Sequence, residues 1–106
     1  MADTLKKALG ISSITVLPFG PNPIKTVAVC SGGADYAIFN EALNLGVDLF
    51  LSGEARDVYS TARDAKINVI FAGHHASETV GLKALAQHIQ QQFRLETVFC
   101  DIPTGL

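Results

Sequence analysis

The chain has 106 residues, of which 48% are hydrophobic and 17% are charged. This composition excludes a disordered chain, a collagen-like repeat and a coiled coil, and predicts one soluble globular domain spanning residues 1–106. Eight basic and ten acidic side chains give a formal charge of −2. Because no basic stripe is present, the charge pattern argues against nucleic acid as a direct partner.

The two cysteines, Cys30 and Cys100, lie far apart in the chain, each within an apolar run. This spacing matches neither a zinc-binding knuckle nor a redox Cys-x-x-Cys pair, and we expect two buried free thiols. The first residues lack the continuous apolar stretch of a secretion signal, and no later segment has the ~20 apolar residues of a membrane span. We therefore expect a cytoplasmic protein that does not bind a membrane.

The first third of the chain predicts one helix and two strands. Residues 3–9 form an amphipathic pattern that ends at Gly10, as is typical of a short helix. Residues 14–17 predict a brief strand, and the two prolines within residues 19–23 predict a loop. The β-branched, apolar run at residues 24–30 predicts a strand that is covered on both faces.

A pattern of strand, polar turn and helix then repeats. Residues 31–33 form a glycine turn before a predicted helix at residues 34–45. The remaining predicted elements are a strand at residues 47–51, a helix at 55–65, a strand at 68–72, a helix from 76 to about 93, and a strand at 97–101. The predicted order is α-β-β-α-β-α-β-α-β. Such alternation indicates a layered α/β domain with a mainly parallel or mixed five-stranded sheet.

Ligands of such sheets bind beyond the carboxyl ends of the strands, where this chain places the segment from Gly73 to Glu78. His74 and Glu78 are four residues apart, so an imidazole and a carboxylate would lie together near the start of a helix and could bind a divalent cation. The alternative is that Ser77 caps the helix and Glu78 complements its dipole, with His74 and His75 as turn residues.

The glycine turn formed by Ser31, Gly32 and Gly33 could bind an anion such as phosphate through free backbone N–H groups. It lacks the known dinucleotide and P-loop patterns, and tight packing between strand and helix also explains its glycines. Neither Ser31 nor Ser52 lies in a nucleophile elbow, so the sequence gives no support for nucleophilic catalysis.

Of three further polar residues, two have both a functional and a structural interpretation, and the third has a structural one. Glu54 could support a ligand or favour a helix N-terminus. Asp101 could face the same edge of the sheet or initiate the turn before Pro103. His88 is predicted to be an exposed helix residue.

The runs VAVCSGGADYAIFNEALNLGVDLFLSGEARD, VIFAGHHASETVGLKALAQHI and VFCDIP together resemble the carboxyl-terminal half of the Nif-three-like family. Members of this family are also called dinuclear metal centre proteins or GTP cyclohydrolase I type II homologues. The match spans residues 4–103. The three motifs occur in the family's order and at compatible intervals, which makes the combination more specific than any one of them.

The resemblance implies that His74 and Glu78 are metal ligands and that His75, Glu54 and Asp101 surround the site. Family members have two similar α/β lobes around a cleft with two metal ions, and the other lobe supplies further ligands. The chain therefore resembles an isolated carboxyl-terminal lobe. The implied cofactor is a divalent metal ion, and one imidazole with one carboxylate suits zinc, iron, manganese or nickel.

The resemblance implies a metal-binding lobe of a hydrolase-like protein that is catalytically incomplete alone. It also implies homo-oligomers, and a protein partner or an amino-terminal lobe could complete the site. An alternative is a protein-interaction or oligomerisation module without enzymatic activity, which an exposed apolar patch would favour. A third hypothesis is a metal-free site for a small phosphorylated ligand at Ser31, Gly32 and Gly33.

Overall fold

A computed structural model describes residues 1–55 and 57–103 of the chain as a mixed α/β domain. Its helices are α1 (Ala2–Leu9), α2 (Tyr36–Asn44), α3 (Tyr59–Asp64) and α4 (His74–Phe93). Its strands are β1 (Thr15–Pro18), β2 (Val27–Ala34), β3 (Leu49–Ala55) and β4 (Asn68–Phe71). They form one sheet in the order β1-β4-β3-β2, in which β2, β3 and β4 are parallel and β1 is antiparallel to β4.

These eight elements appear in the predicted order, but four of their bounds differ in ways that matter near the site. Strand β3 continues past the predicted end at residue 51 to Ala55 and therefore contains Glu54. Strand β2 continues through the predicted glycine turn to Ala34. Helix α3 begins at Tyr59, four residues later than predicted, and Arg56 within that predicted helix lies outside the described residues. Helix α4 begins at His74, two residues earlier than predicted.

The core lies between one face of the sheet and helices α2 and α3. Phe39 of α2 is fully buried, and its ring packs edge-on against Phe50 of β3 with centroids 5.3 Å apart. The buried cluster consists of Ala34, Phe39, Ala42, Phe50, Val58, Ala62, Ile67 and Val69. Because side chains alternate along a strand, Leu51 points to the other face, where α1 and the start of α4 lie.

Strand β2 is not covered on both faces, contrary to the sequence prediction. It is an edge strand, and Val27 and Val29 are 44% and 69% exposed. A continuous apolar run is typical of central parallel strands, but periodicity within one strand carries no information about its position in the sheet. The prediction was wrong because β2 lies at the edge of the sheet, where it pairs with β3 alone and one of its faces stays exposed.

The predicted fifth strand at residues 97–101 is not a strand. Within the described residues the sheet has four strands, and this segment lies along α4 instead. Lys83 of α4 places its ammonium group 4.8 Å from the ring centroid of Phe99, and His75 of α4 binds Asp101. The side chains of this segment alternate between half-buried and exposed, as they would in a strand. Its half-buried side chains, however, face helix α4 and not a neighbouring strand.

Both cysteines are free, as predicted, but neither is fully buried. Cys30 is half-buried on the edge strand β2, and Cys100 is exposed in the segment along α4. The prediction of burial assumed that Cys30 lies on a strand covered on both faces and that Cys100 lies on a fifth strand, and neither assumption holds.

The second half of α4 is exposed on most of its circumference. Leu82, Leu85 and Phe93 are 58%, 53% and 67% exposed, and Thr79 near the start of the helix is its buried residue. No helix in the described part of the chain combines the length and the apolar character needed to cross a membrane.

We expect Asp48→Ala to lower the thermal midpoint by several degrees at neutral pH. The Asp48 carboxylate accepts backbone hydrogen bonds from Lys25 (2.8 Å) and Thr26 (2.9 Å), which fix the chain before β2 against the start of β3. These bonds hold the pKa of Asp48 below its ordinary value of 3.8. The stabilisation is therefore present above that value and lost as pH falls through the lowered pKa of the folded protein.

Circular dichroism melts at neutral pH and in acid would test this prediction, with Asp64→Ala as the control. Asp64 is exposed, and its carboxylate forms an ion pair with the neighbouring Arg63 at 3.3 Å. We expect no change in the control and a difference between wild type and Asp48→Ala that shrinks in acid. A difference that is equal at both pH values would contradict the role of the charge.

Candidate metal centre

The chain after β4 is aligned along β3 before α4 begins, and this alignment positions His74. The N–H of Ala72 donates to the carbonyl of Ser52 (2.9 Å), and the N–H of Gly73 donates to the carbonyl of Gly53 (3.0 Å). The next residue, His74, consequently begins α4 beside Glu54, the residue that follows Gly53. The carboxyl edge of the sheet therefore brings the residues that follow β4 next to the last residues of β3, where ligands of such sheets bind.

His74 and Glu78 lie on one face of α4, one turn apart. The Nε2 atom of His74 is 3.4 Å from Oε1 of Glu78, a contact that the four-residue spacing permits only if both residues are helical. The alternative in which Ser77 caps the helix is wrong, because Gly73 occupies the N-cap position. Ser77 instead donates its hydroxyl proton to the carbonyl of His74 (2.9 Å).

Glu54 contacts the other nitrogen of the His74 ring. Its Oε1 atom lies 2.9 Å from Nδ1, so in the neutral imidazole we assign the proton to Nδ1 as a donor to Glu54. The lone pair is then on Nε2, which faces Glu78. This hydrogen bond to the Glu54 carboxylate, together with the charge of Glu78, raises the pKa of His74 above its ordinary value of 6.5.

His74 and Glu78 are separated by a distance at which both could bind one divalent cation. Two ligands bound ~2.0–2.1 Å from one tetrahedral ion lie about 3.3–3.4 Å apart, which matches the separation of His74 Nε2 and Glu78 Oε1. Metal-binding histidines commonly donate their second N–H to a carboxylate, as His74 does to Glu54. The side chains are between one-third and just over one-half exposed, so a cation and its water ligands could reach them.

The predicted glycine turn, Ser31, Gly32 and Gly33, is part of β2 and contains a bulge. Cys30 pairs with Ser52 and Gly33 pairs with Glu54, so β2 has one residue more than β3 between these pairs. The N–H of Gly32 donates to the hydroxyl of Ser77 (2.9 Å). Binding of an anion at this turn stays a prediction.

His75 and Asp101 form a second pair, with Nε2 of His75 2.8 Å from Oδ1 of Asp101. Among the hydrogen bonds and ion pairs of the described residues, none joins this pair to the cluster of His74, Glu54 and Glu78. The family resemblance implied one site surrounded by all five residues, and their contacts divide them into two groups. His88 is an exposed residue of α4, as predicted.

Sequence reasoning missed Ser77 as the link between α4 and β2, and Gly53 as the residue that permits it. A Cβ atom on Gly53 would lie 2.5 Å from the carbonyl oxygen of Gly32 and 2.6 Å from Oγ of Ser77. A glycine within a strand often indicates such a close approach, but the sequence does not reveal which segment approaches.

Curated proteins and solved structures with similar sequences span more than twice the length of this chain. A protein from Pyrococcus abyssi named GTP cyclohydrolase 1 type 2 homolog is 40% identical over 107 residues, which cover 100% of this chain and 42% of that protein. The protein of the same name from Archaeoglobus fulgidus is 39% identical, with coverage of 96% and 44%. The crystal structure of TTHA1606 from Thermus thermophilus superposes with a TM-score of 0.84 at 37% identity and covers 99% of this chain and 42% of that one.

The family model described as Duf34/NIF3, NGG1p interacting factor 3, matches residues 1–105. This match covers almost the whole sequence, and the similarity to the proteins above extends over the same elements. The chain therefore belongs to the Duf34/NIF3 family.

Proposed function

We propose that this chain is a metal-binding lobe that holds one divalent cation between His74 and Glu78. The observation that carries the proposal is the placement of Glu54, His74 and Glu78, in which one imidazole contacts a carboxylate through each ring nitrogen. Zinc, iron, manganese and nickel all accept such ligands. A bound cation would polarise a substrate oxygen or lower the pKa of a bound water molecule.

The chain's own residues would orient the site and would not complete it. Glu54 fixes the ring of His74 so that Nε2 faces the cation, and Glu78 supplies one anionic oxygen. A catalytic zinc site uses three protein ligands, and His74 and Glu78 are two. We propose that the further ligands come from a second copy, a separate partner, or the additional length present in the relatives.

We extend the proposal to a hydrolase-like activity of the completed protein, because its relatives carry the name GTP cyclohydrolase 1 type 2 homolog. The substrate class would be a purine nucleotide attacked by an activated water molecule. The chain spans about 42% of the P. abyssi relative, so we expect it to lack this activity alone. An assay of GTP hydrolysis is informative only after the complete site has been assembled.

Metal content and metal titration test the proposal. Protein purified without chelator or affinity metal would be analysed by mass spectrometry and then titrated calorimetrically with zinc, iron, manganese and nickel after the bound metal is removed. We expect one cation per chain, with water molecules in the remaining positions, or one cation per dimer if a second copy supplies ligands. Protein that binds none of the four candidate metals would contradict the proposal.

We expect Glu54→Ala to weaken metal binding about 10- to 100-fold, because the ring of His74 loses the acceptor that fixes its orientation. Glu54→Gln keeps a carbonyl acceptor and should restore part of the affinity. Glu41→Ala is the control, because it removes an exposed carboxylate from α2. Nitrogen NMR of the imidazole would show a mixture of tautomers only in Glu54→Ala, and an unchanged tautomer would contradict the orienting role.

A second candidate function is an interaction module, which the exposed apolar side chains of α4 favour. We propose that the chain forms homo-oligomers through this helix. Light scattering after gel filtration, with Leu85→Asp as the variant, tests this candidate. A monomer at all protein concentrations would exclude it.

A further inference from the structure

Gly32 lies against both proposed metal ligands although it supplies no side chain. A Cβ atom built on Gly32 would overlap Oε1 of Glu78 and would lie 3.3 Å from Nε2 of His74. Gly32 therefore occupies the side of the site opposite α4. Its φ of +67° is a backbone conformation that favours glycine.

Two serines fix the position of Gly32. Its N–H donates to the Ser77 hydroxyl (2.9 Å), and its carbonyl accepts from the Ser52 hydroxyl (3.3 Å). Ser52 is 1% exposed, and Gly53 lies directly behind the carbonyl. Since both backbone groups of Gly32 have partners, the bulge is held at a fixed distance from the start of α4.

We infer that Gly32 is a positioning residue of the cation site, because only a residue without a side chain leaves the Glu78 carboxylate beside His74. This inference rests on the proposed function and names the feature that shapes the site. Besides this backbone requirement, the absence of a side chain serves the site, because the atoms nearest to an added Cβ belong to Glu78 and His74. Glu78 is about half exposed, so its carboxylate can rotate into solvent when a methyl group displaces it.

Gly32→Ala tests the inference, and two other glycines provide matched controls. Gly46→Ala adds a methyl group at a similar φ of +65°, with nothing within 4 Å of the new Cβ. It reproduces the backbone strain of Gly32→Ala without a contact at the site. Gly33→Ala adds a methyl group next to the site, at an ordinary distance of 3.4 Å from Glu54 Oε1 and His74 Cε1.

The readouts are zinc affinity by calorimetry and the thermal midpoint of the metal-free protein. We expect Gly32→Ala to lose about tenfold or more in affinity, as when a group that positions a ligand is removed, and both controls to stay near wild type. Gly32→Ala and Gly46→Ala should lower the midpoint by similar amounts.

Each other outcome is decisive. Wild-type affinity in Gly32→Ala, with binding still dependent on His74, overturns the inference and leaves the proposed function intact. A much larger loss of stability than in Gly46→Ala also overturns it, because the glycine would then serve the fold. Wild-type protein that binds no zinc, iron, manganese or nickel removes both.

A second pair of variants tests how the bulge is held. Ser77 and Thr79 each donate a hydroxyl to the carbonyl three residues earlier in α4, at 2.9 Å and 3.1 Å. The two residues differ in that the Ser77 hydroxyl also accepts a hydrogen bond from the N–H of Gly32. Ser77→Ala should weaken zinc binding severalfold and Thr79→Ala should not. Equal affinities in the two variants would contradict the role of the bulge.

Discussion

Replacing His74 with alanine is expected to abolish stoichiometric metal binding while the fold persists. His74 is the residue that contacts both neighbouring carboxylates, with Nδ1 2.9 Å from Glu54 and Nε2 3.4 Å from Glu78. Its removal leaves two carboxylates without the imidazole that holds a borderline cation. Because the side chain is one-third exposed at the edge of the sheet, its loss creates no cavity in the core.

Glu78→Ala should also abolish tight binding, since it removes the anionic ligand from the same turn of α4. His88→Ala is the matched control, because His88 is exposed on the same helix. Metal per chain would be measured by mass spectrometry after dialysis, with circular dichroism as the test of folding. Unchanged metal content in both site variants would remove the metal hypothesis, and equal loss in the control would indicate nonspecific binding.

The affinity for the metal ion should also decrease as the pH is lowered. A proton and a cation compete for Nε2 of His74, and the carboxylate of Glu54 raises the pKa of this imidazole above 6.5. Metal binding should therefore weaken as pH falls through the raised pKa. The protonated form also stabilises the metal-free fold, and this contribution is lost as pH rises through the same value.

The order of the first eight elements follows from hydrophobic periodicity, whereas their positions in the sheet do not. The run before Cys30 has the composition of a central strand and lies at an edge, because strand order is decided by crossovers between distant segments. Residues 97–101 have the alternation of a strand, but their half-buried side packs on α4. Alternation indicates a surface with one covered face and does not identify the element that covers it.

The proposed ligands were predictable because their spacing of four residues has meaning within a single helix. The pairing of His75 with Asp101 and of His74 with Glu54 depends on where β3 and the last segment lie, which one sequence does not show. The glycine turn was interpreted as a turn because glycines usually end strands. The sheet continues through it because Ser52 and Ser77 bind the backbone of Gly32 from two other elements.

The largest loss of stability is expected from Phe39→Ala. Phe39 is fully buried between α2 and the sheet, and its ring contacts Phe50 and Tyr36 at centroid distances of 5.3 Å and 6.5 Å. Truncating a buried phenylalanine costs about 3–5 kcal/mol through lost transfer free energy and the cavity that remains. A domain of this size is stable by about 5–15 kcal/mol, so the variant should be marginally folded.

Urea unfolding at one temperature would measure the difference, with Phe93→Ala as the matched control. Phe93 is 67% exposed at the end of α4, and the same chemical change there should alter the free energy of unfolding by less than about 0.5 kcal/mol. Similar losses in the two variants would mean that Phe93 is covered in solution, most directly by a second copy packed on α4. The comparison therefore tests both the position of the core and the exposure of the helix that the interaction hypothesis requires.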